Sequence, residues 1–331
     1  MFRYILRRIL LMIPVLIGVT LFVFLLQAIT PGDPAALLLG SNATPEDRFI
    51  WRESYGLNDS IIVQYAKYMG GLVKGDFGIS YRTGNDITST ILARWPTTFL
   101  LASLSLIISV VLGMAIGIVA GMHRNTWIDS TARFLGMLGT SMPSFWFALL
   151  LIIAFSLKLR WLPVSGFYGP KYWVLPAATL GILGSASILR ITRSALLDNM
   201  YSDFVRTARS KGQSEAKIIS QHILPNAMIP ITNNIAGLFA VSLGGTIILE
   251  QIFAIAGLGK LMVDAIYQRD FPLLRGSVLL VAVTTCVINL LVDLIYAAVD
   301  PRVKAAFRNS VKPIKLFQKL KVNKAGKAAL Q

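Results

Sequence analysis

Six long apolar runs alternate with charged connections along this chain. The first, residues 9–29, carries no charge over 21 positions. At 1.5 Å per residue that is roughly 31 Å of helix, about one hydrocarbon core. Runs at 97–121, 134–157, 173–189, 227–249 and 276–299 follow. The fourth is the weakest: its 17 residues barely span and include Pro176, Gly181, Gly184 and Ser185. Small residues are what a helix needs when it packs closely on others, so the run is kept as a span. The pattern predicts an all-α polytopic membrane protein with six transmembrane helices.

Composition supports this. Of 331 residues 55% are hydrophobic and 15% charged, against about a quarter charged in ordinary globular domains. Mean hydropathy is +0.64. Cys286 alone cannot form an internal disulfide, and with His123 and His222 as the only histidines there is no Cys/His metal cluster to build. A net charge of +16 would suggest nucleic acid in a soluble protein; in a membrane protein it poses the question of sidedness. The N-terminus, the connections after spans two and four, and the tail from Arg302 hold 20 of the 32 Lys and Arg. Both termini are therefore expected in the cytoplasm, with Lys158, Arg160 and Lys171 as a local dissent. The first run is too long for a signal-peptide core and lacks a small-x-small cleavage site, so it reads as an anchor.

Residues 31–94 are too long for a plain loop. They hold the turn Thr30-Pro31-Gly32-Asp33-Pro34 and six aromatics, Trp51, Tyr55, Tyr65, Tyr68, Phe77 and Tyr81. These suit a small cap, either a lid without a partner or a docking surface for an extracytoplasmic protein. In the connection 190–221, Ser202 is a candidate N-cap and Asp203 suits the positive helix end. Phe204, Ala208 and Gly212 share one face, and Gly212 suits a helix end or a close contact with another chain. Ser214 is a second candidate cap. The cations Arg206, Arg209, Lys211 and Lys217 either lie on anionic headgroups or rim a helix that fits a groove on a cytoplasmic partner. The lysine-rich tail, with Ile314, Phe317 and Leu320 interleaved, reads as a basic segment drawn to the membrane surface rather than to nucleic acid.

No hydrolytic motif is present. Gly257-Leu258-Gly259-Lys260-Leu261 lacks the earlier glycine of a phosphate loop and has Leu261 where Ser or Thr must reach magnesium. No cofactor is expected. In the sixth span Asn289, Asp293 and Tyr296 share a face, read as an interhelical contact in preference to a proton relay. In the fifth, Asn233, Asn234, Ser242, Gly244, Gly245 and Thr246 make a small, polar wall that either packs a helix or lines a solute path. Glu250 at its outer end reads as an interface residue.

The connection resembles the signature loop of ABC importer permeases. That pattern is Glu-Ala-Ala, three residues, Gly, nine residues, then Ile-x-Leu-Pro. Aligned on Gly212, this chain has Arg206-Thr207-Ala208 before it and His222-Ile223-Leu224-Pro225 after it. Ala208, Gly212, Leu224 and Pro225 match; Arg206, Thr207 and His222 depart. The stretch Arg206 to Gly212 is similar to the variant of the dipeptide/oligopeptide/nickel branch. Further resemblances run in order: Pro31-Gly32-Asp33-Pro34, Tyr55-Gly56-Leu57, Gly75-Asp76-Phe77-Gly78, Pro96-Thr97-Thr98, Ser141-Met142-Pro143-Ser144-Phe145-Trp146, Trp161-Leu162-Pro163, Gly257-Leu258-Gly259, Asp270-Phe271-Pro272 and Asp300-Pro301-Arg302. They cover about residues 1–306.

The resemblance implies a type I importer fold and the role of first permease of a pair. With the apolar pattern it gives a tail and first helix at 1–30, an extracytoplasmic segment at 31–94 and a core at 95–306; the basic tail at 307–331 lies outside the resemblance. The partners implied are a second homologous permease, two cytoplasmic ATPases and an extracytoplasmic solute-binding protein, in the bacterial cytoplasmic membrane. A coupling helix within 203–221 would seat in the ATPase groove, using Asp203, Phe204, Arg206, Thr207, Ala208, Arg209, Lys211, Gly212, Leu224 and Pro225. Asn233, Asn234, Ser242 and Thr246 would line the pore. The solute would be a peptide, with nickel, a metal chelate or glutathione as alternatives; a stand-alone proton-coupled carrier is the competing class.

Overall fold

The computed structural model describes residues 2–40 and 42–299. Helix α1 (Phe2–Ile29) leads into three short helices, α2 (Pro34–Leu39), α3 (Pro45–Ser54) and α4 (Ile61–Val73). Next come α5 (Ile87–Met122), α6 (Trp127–Ser141) and α7 (Ser144–Leu151), which runs on as a π-helical turn, Ile152–Lys158. Then follow α8 (Pro170–Met200), α9 (Asp203–Ser210) and α10 (Glu215–Ile218), which passes through a π-helical turn, Ile219–Ile223, into α11 (Leu224–Ile252). Helices α12 (Leu258–Gln268) and α13 (Phe271–Val299) close the order. Among the described residues there is no strand, only an isolated bridge between Ile79 and Asp86. Asp300-Pro301-Arg302 and the basic tail lie outside the described residues.

Five helices are long and apolar enough to cross a membrane, or six if α6 and α7 together make one bent crossing. The third expected span is thus not a straight rod. It breaks by 106° between Ser141 and Ser144. Met142, held extended at ψ 125°, precedes Pro143, whose ring disfavours helical backbone in the residue before it. The other expected spans fall inside longer helices, and the weak fourth lies within the 31 residues of α8.

Helices α5 and α8 form the tightest pair. Gly113, Gly117 and Gly121 recur every fourth residue on α5, against Ile188, Thr192 and Leu196 of α8. A Cβ at Gly113 would stand 2.7 Å from the Ser185 carbonyl oxygen, and one at Gly117 would stand 2.8 Å from that of Leu189. Gly181 of α8 meets Ile108 in the same manner. Lipid tails are as apolar as leucine, so helices in a bilayer associate through such close backbone approach.

The aromatics of 31–94 do build a cap, at the start of α5. Trp51, Tyr55 and Tyr81 pack with tilted and edge-to-face rings, centroids 4.6 to 5.4 Å apart. Tyr65 and Tyr68 pack on Phe24 of α1, and Phe77 joins Ile87, Ile91 and Leu273. Asp33 caps α2 through the Ala35 N–H at 3.1 Å and accepts from Arg52 Nε at 3.0 Å. Partial burial pushes the Asp33 carboxyl up, but the Arg52 bond and the backbone donors outweigh it and hold the group below its ordinary range. Asp270 ties the cap to α13: it accepts from the Ser80 hydroxyl and from the Tyr81 N–H.

Candidate coupling site

At the other end of α5, α9 lies against the bundle by a narrow apolar face. Val205 and Ala208, three residues apart, are buried with Leu196, Ile218 and Ile223. Asp203, Phe204, Arg206, Thr207, Arg209, Lys211 and Gly212 remain exposed. The face expected from Phe204, Ala208 and Gly212 is therefore divided: Ala208 turns inward beside Val205, and Phe204 stays outside. Val205 was missed, although its i, i+3 spacing to Ala208 is a helical signal. Ser202 and Ser214 occupy the N-cap positions of α9 and α10 without a side-chain cap bond.

Gly212 ends α9 in a left-handed conformation, φ 73°. Its N–H donates to the Arg209 carbonyl at 2.9 Å, and the Gln213 N–H to that of Ala208 at 3.3 Å. Within the chain a Cβ there meets nothing within 4 Å. Arg209 then grips Glu215 with two bonds, 2.7 and 3.1 Å, so the turn after α9 is braced. His222 shares a hydrogen bond with Gln213 at 2.9 Å. Leu224 is half-buried and Pro225 exposed, in the first turn of α11 where a missing N–H costs nothing.

The end of α8 that carries α9 is tied to the turn between α5 and α6. Asp129 is fully buried and accepts from Arg193 Nε at 2.5 Å, from Arg193 Nη2 at 2.8 Å and from the Asn125 N–H at 3.1 Å. Arg133 stands 3.7 Å away. Arg124 adds a 2.6 Å bond to the Tyr201 hydroxyl. Sequence reading passed over Asp129, because its partner is 64 residues away.

The family model for the binding-protein-dependent transport system inner membrane component matches residues 113–305. The N-terminal model of the same membrane component matches residues 1–102. The chain belongs to this family. It is 38% identical over 315 residues to an oligopeptide transport system permease protein of Bacillus subtilis, covering 92% of this chain and all of that protein. A glutathione transport system permease protein of Escherichia coli is 37% identical over 304 residues, covering 92% of this chain and 99% of that one. In fold, it is similar to the inward-facing MetNI methionine ABC transporter, with TM-score 0.53 and 17% identity over 63% of this chain and 96% of that one. An amino acid ABC transporter chain gives TM-score 0.51 at 21% identity, covering 63% and 93%. The permease is thus a multi-pass membrane component with the ABC importer fold.

The small wall of α11 divides in this permease. Asn233 is exposed, whereas Asn234 donates to Ser187 of α8 at 3.1 Å. Ser242 and Thr246 are buried, their hydroxyls turned back to the Leu238 and Leu243 carbonyls. Asn289 is exposed, and the side chains of Asp293 and Tyr296 lie outside the described ones.

Glu250 is not an interface residue. It is fully buried, accepting from the Thr98 hydroxyl at 2.7 Å and from the Lys260 N–H at 2.8 Å. Thr98 Oγ1 in turn accepts from the Leu258 N–H at 2.8 Å. Gly257 and Gly259 leave room for the carboxylate: a Cβ on Gly257 would come within 2.6 Å of it. The glycine pair that failed as a phosphate loop thus folds around an internal carboxylate, fastening α12 to α11 and α5. Thr98→Val should strand the Leu258 N–H and take one donor from Glu250, which keeps Thr246 and the Gly259 and Lys260 N–H groups. The expected cost is about 1 to 3 kcal/mol from one unsatisfied buried group, read as a lowered unfolding midpoint in detergent. An unchanged midpoint would remove Thr98 from this latch.

Proposed function

We propose that this chain is one of two membrane-spanning halves of an ATP-driven peptide importer. The observation that carries the proposal is α9: buried by Val205 and Ala208, braced by Arg209 and Glu215, and exposing Phe204, Arg206, Thr207 and Lys211. Such a rod, packed on Leu196 of α8 and tied to α10, would carry a push on its outer face into the bundle. Two cytoplasmic ATPase chains would supply that push by closing on ATP and opening after hydrolysis. Both termini and α9 would lie on the cytoplasmic side, and the cap on the side where a solute-binding protein delivers its cargo. Solute would pass between this permease and a similar second one, along the exposed side of α11 that carries Asn233, while Asn234, Ser242 and Thr246 shape that helix from within. Catalysis would belong to the ATPases alone.

The peptide reading is supported by the oligopeptide permease likeness over the whole of that relative. Glutathione, itself a small peptide-like acid, is favoured by the second likeness. Uptake of labelled di- and oligopeptides by cells expressing the full set of chains, with glutathione as competitor, decides between them. Accumulation that persists without any ATPase chain would overturn the proposal.

Gly212 gives a sharper test of the rod. Asparagine tolerates left-handed backbone, so Gly212→Asn should insert and fold normally. If an ATPase surface closes over this corner, Gly212→Asn and Gly212→Asp should both abolish uptake at unchanged membrane abundance. Full uptake by both would show that Gly212 serves only to end α9.

A further inference from the structure

The cap borders a half-open pocket of about 220 Å³, away from the coupling site. Arg275 lines it, from the first turns of α13, together with Tyr68, Tyr81, Gln64 and Lys67. Arg275 is nine-tenths buried. Its guanidinium lies 5.0 Å from the Phe24 ring centre and 4.7 Å from that of Tyr68. Among the described residues no carboxylate stands within ion-pair distance of it. Asp270 is near, but its oxygens already serve Ser80, the Tyr81 N–H and the Leu273 N–H. Arg275 Nε and the Tyr68 hydroxyl are both buried without a hydrogen-bond partner. Tyr81 gives the guanidinium one hydrogen bond and Asp270 acts on it at longer range, but a buried charge without a paired carboxylate is costly, and aromatic faces return only part of that cost.

We propose that this cavity is a binding site for a single carboxylate group, with Arg275 as its counter-charge and the Tyr68 hydroxyl as a second donor. The chemistry selects that class. A guanidinium presents a planar fork that fits a carboxylate. Asp270 close by and Asp76 in the cavity wall disfavour a dianion such as phosphate. The volume is below the 300 to 1,000 Å³ usual for a whole ligand, so the site takes the end of something larger or a small acid. Burial pushes the Tyr68 phenol up to about 12, which keeps it a donor at neutral pH. Two sources carry this group to the cap side: the C-terminal carboxylate of a delivered peptide, or an acidic side chain of a docked protein. The sidedness and the peptide source rest on the function proposed above; the site itself does not.

The test is thermal unfolding of the full chain in nanodiscs at constant pH and ionic strength. Acetate and dialanine should raise the midpoint, while chloride and dialanine amide should not. Arg275→Gln should abolish the effect. Tyr68→Phe, which keeps the ring and removes only the hydroxyl, should weaken apparent affinity about tenfold, the equivalent of one lost hydrogen bond; it decides the matter should Arg275→Gln fail to fold. Dialanine at least tenfold tighter than acetate assigns the site to a free peptide end. Equal affinities assign it to an isolated carboxylate, as a side chain supplies. An amide as effective as the acid, or acid binding unchanged in Tyr68→Phe, overturns the proposal. That result would leave import, measured by uptake, untouched.

Discussion

Replacing Gly117 with valine should prevent α5 from seating on α8 and remove most of the folded, transport-competent chain from the membrane. A Cβ at this position would lie 2.7 Å from Thr192 Cβ and 2.8 Å from the Leu189 carbonyl oxygen. Neither contact can relax by a change of rotamer, because Thr192 Cβ is fixed to the backbone of α8 and the oxygen is part of that backbone. Overpacking a close contact typically costs about 1 to 3 kcal/mol, and alanine should already reach that range. Valine adds two methyl groups in the same space and should exceed it. Gly18 is the control: nothing lies within 4 Å of its Cβ position, so Gly18→Ala should be neutral or slightly stabilising through helix propensity. Resistance to protease in isolated membranes, together with the unfolding midpoint in detergent, reads both variants. Equal behaviour of Gly117→Val and Gly18→Ala would show that the close approach of α5 and α8 contributes nothing.

Asp129→Ala should destabilise the chain by about 3 kcal/mol, the lower end for breaking a buried ion pair, because Arg193 is one-fifth exposed and keeps some access to solvent. Most of the loss is the cost of leaving the guanidinium unpaired. Arg193→Met alone should cost a similar amount, since it leaves the carboxylate buried with only the Asn125 N–H and a distant Arg133. The double variant Asp129→Ala/Arg193→Met should then lose far less than the sum of the two. That non-additivity, measured as a double-mutant cycle on unfolding midpoints, is the signature of a direct pair. Strict additivity would mean that the two residues act separately. The same variants bear on transport, because this pair holds the base of α8, and hence α9, to the turn that leads into the bent α6 and α7.

The crossings were legible because a membrane imposes one requirement, about 20 apolar residues in helical form, and that is a property of a contiguous stretch. The cap was legible for a related reason: aromatics and turn residues crowd one segment, and Trp51, Tyr55 and Tyr81 do meet. The bend in the third span was written in Met142-Pro143, yet an unbroken apolar run masked it. Within α9, Arg206 and Thr207 are exposed, whereas the inward turn of Ala208 depended on where Leu196 and Ile218 lie.

Membrane insertion, helix order and the glycine-ended rod were thus set by local rules of length, charge and backbone freedom, and could be read from residues close together in the chain. The tertiary structure alone decided which polar groups face one another. Asp129 with Arg193, Glu250 with Thr98, and Arg275 beside Phe24 and Tyr68 are separated by 64, 152 and more than 200 residues. A charge buried in a bundle costs least beside a partner that compensates it. Which residue becomes that partner is settled by how the helices pack, and packing here turns on glycines whose neighbours lie on other helices.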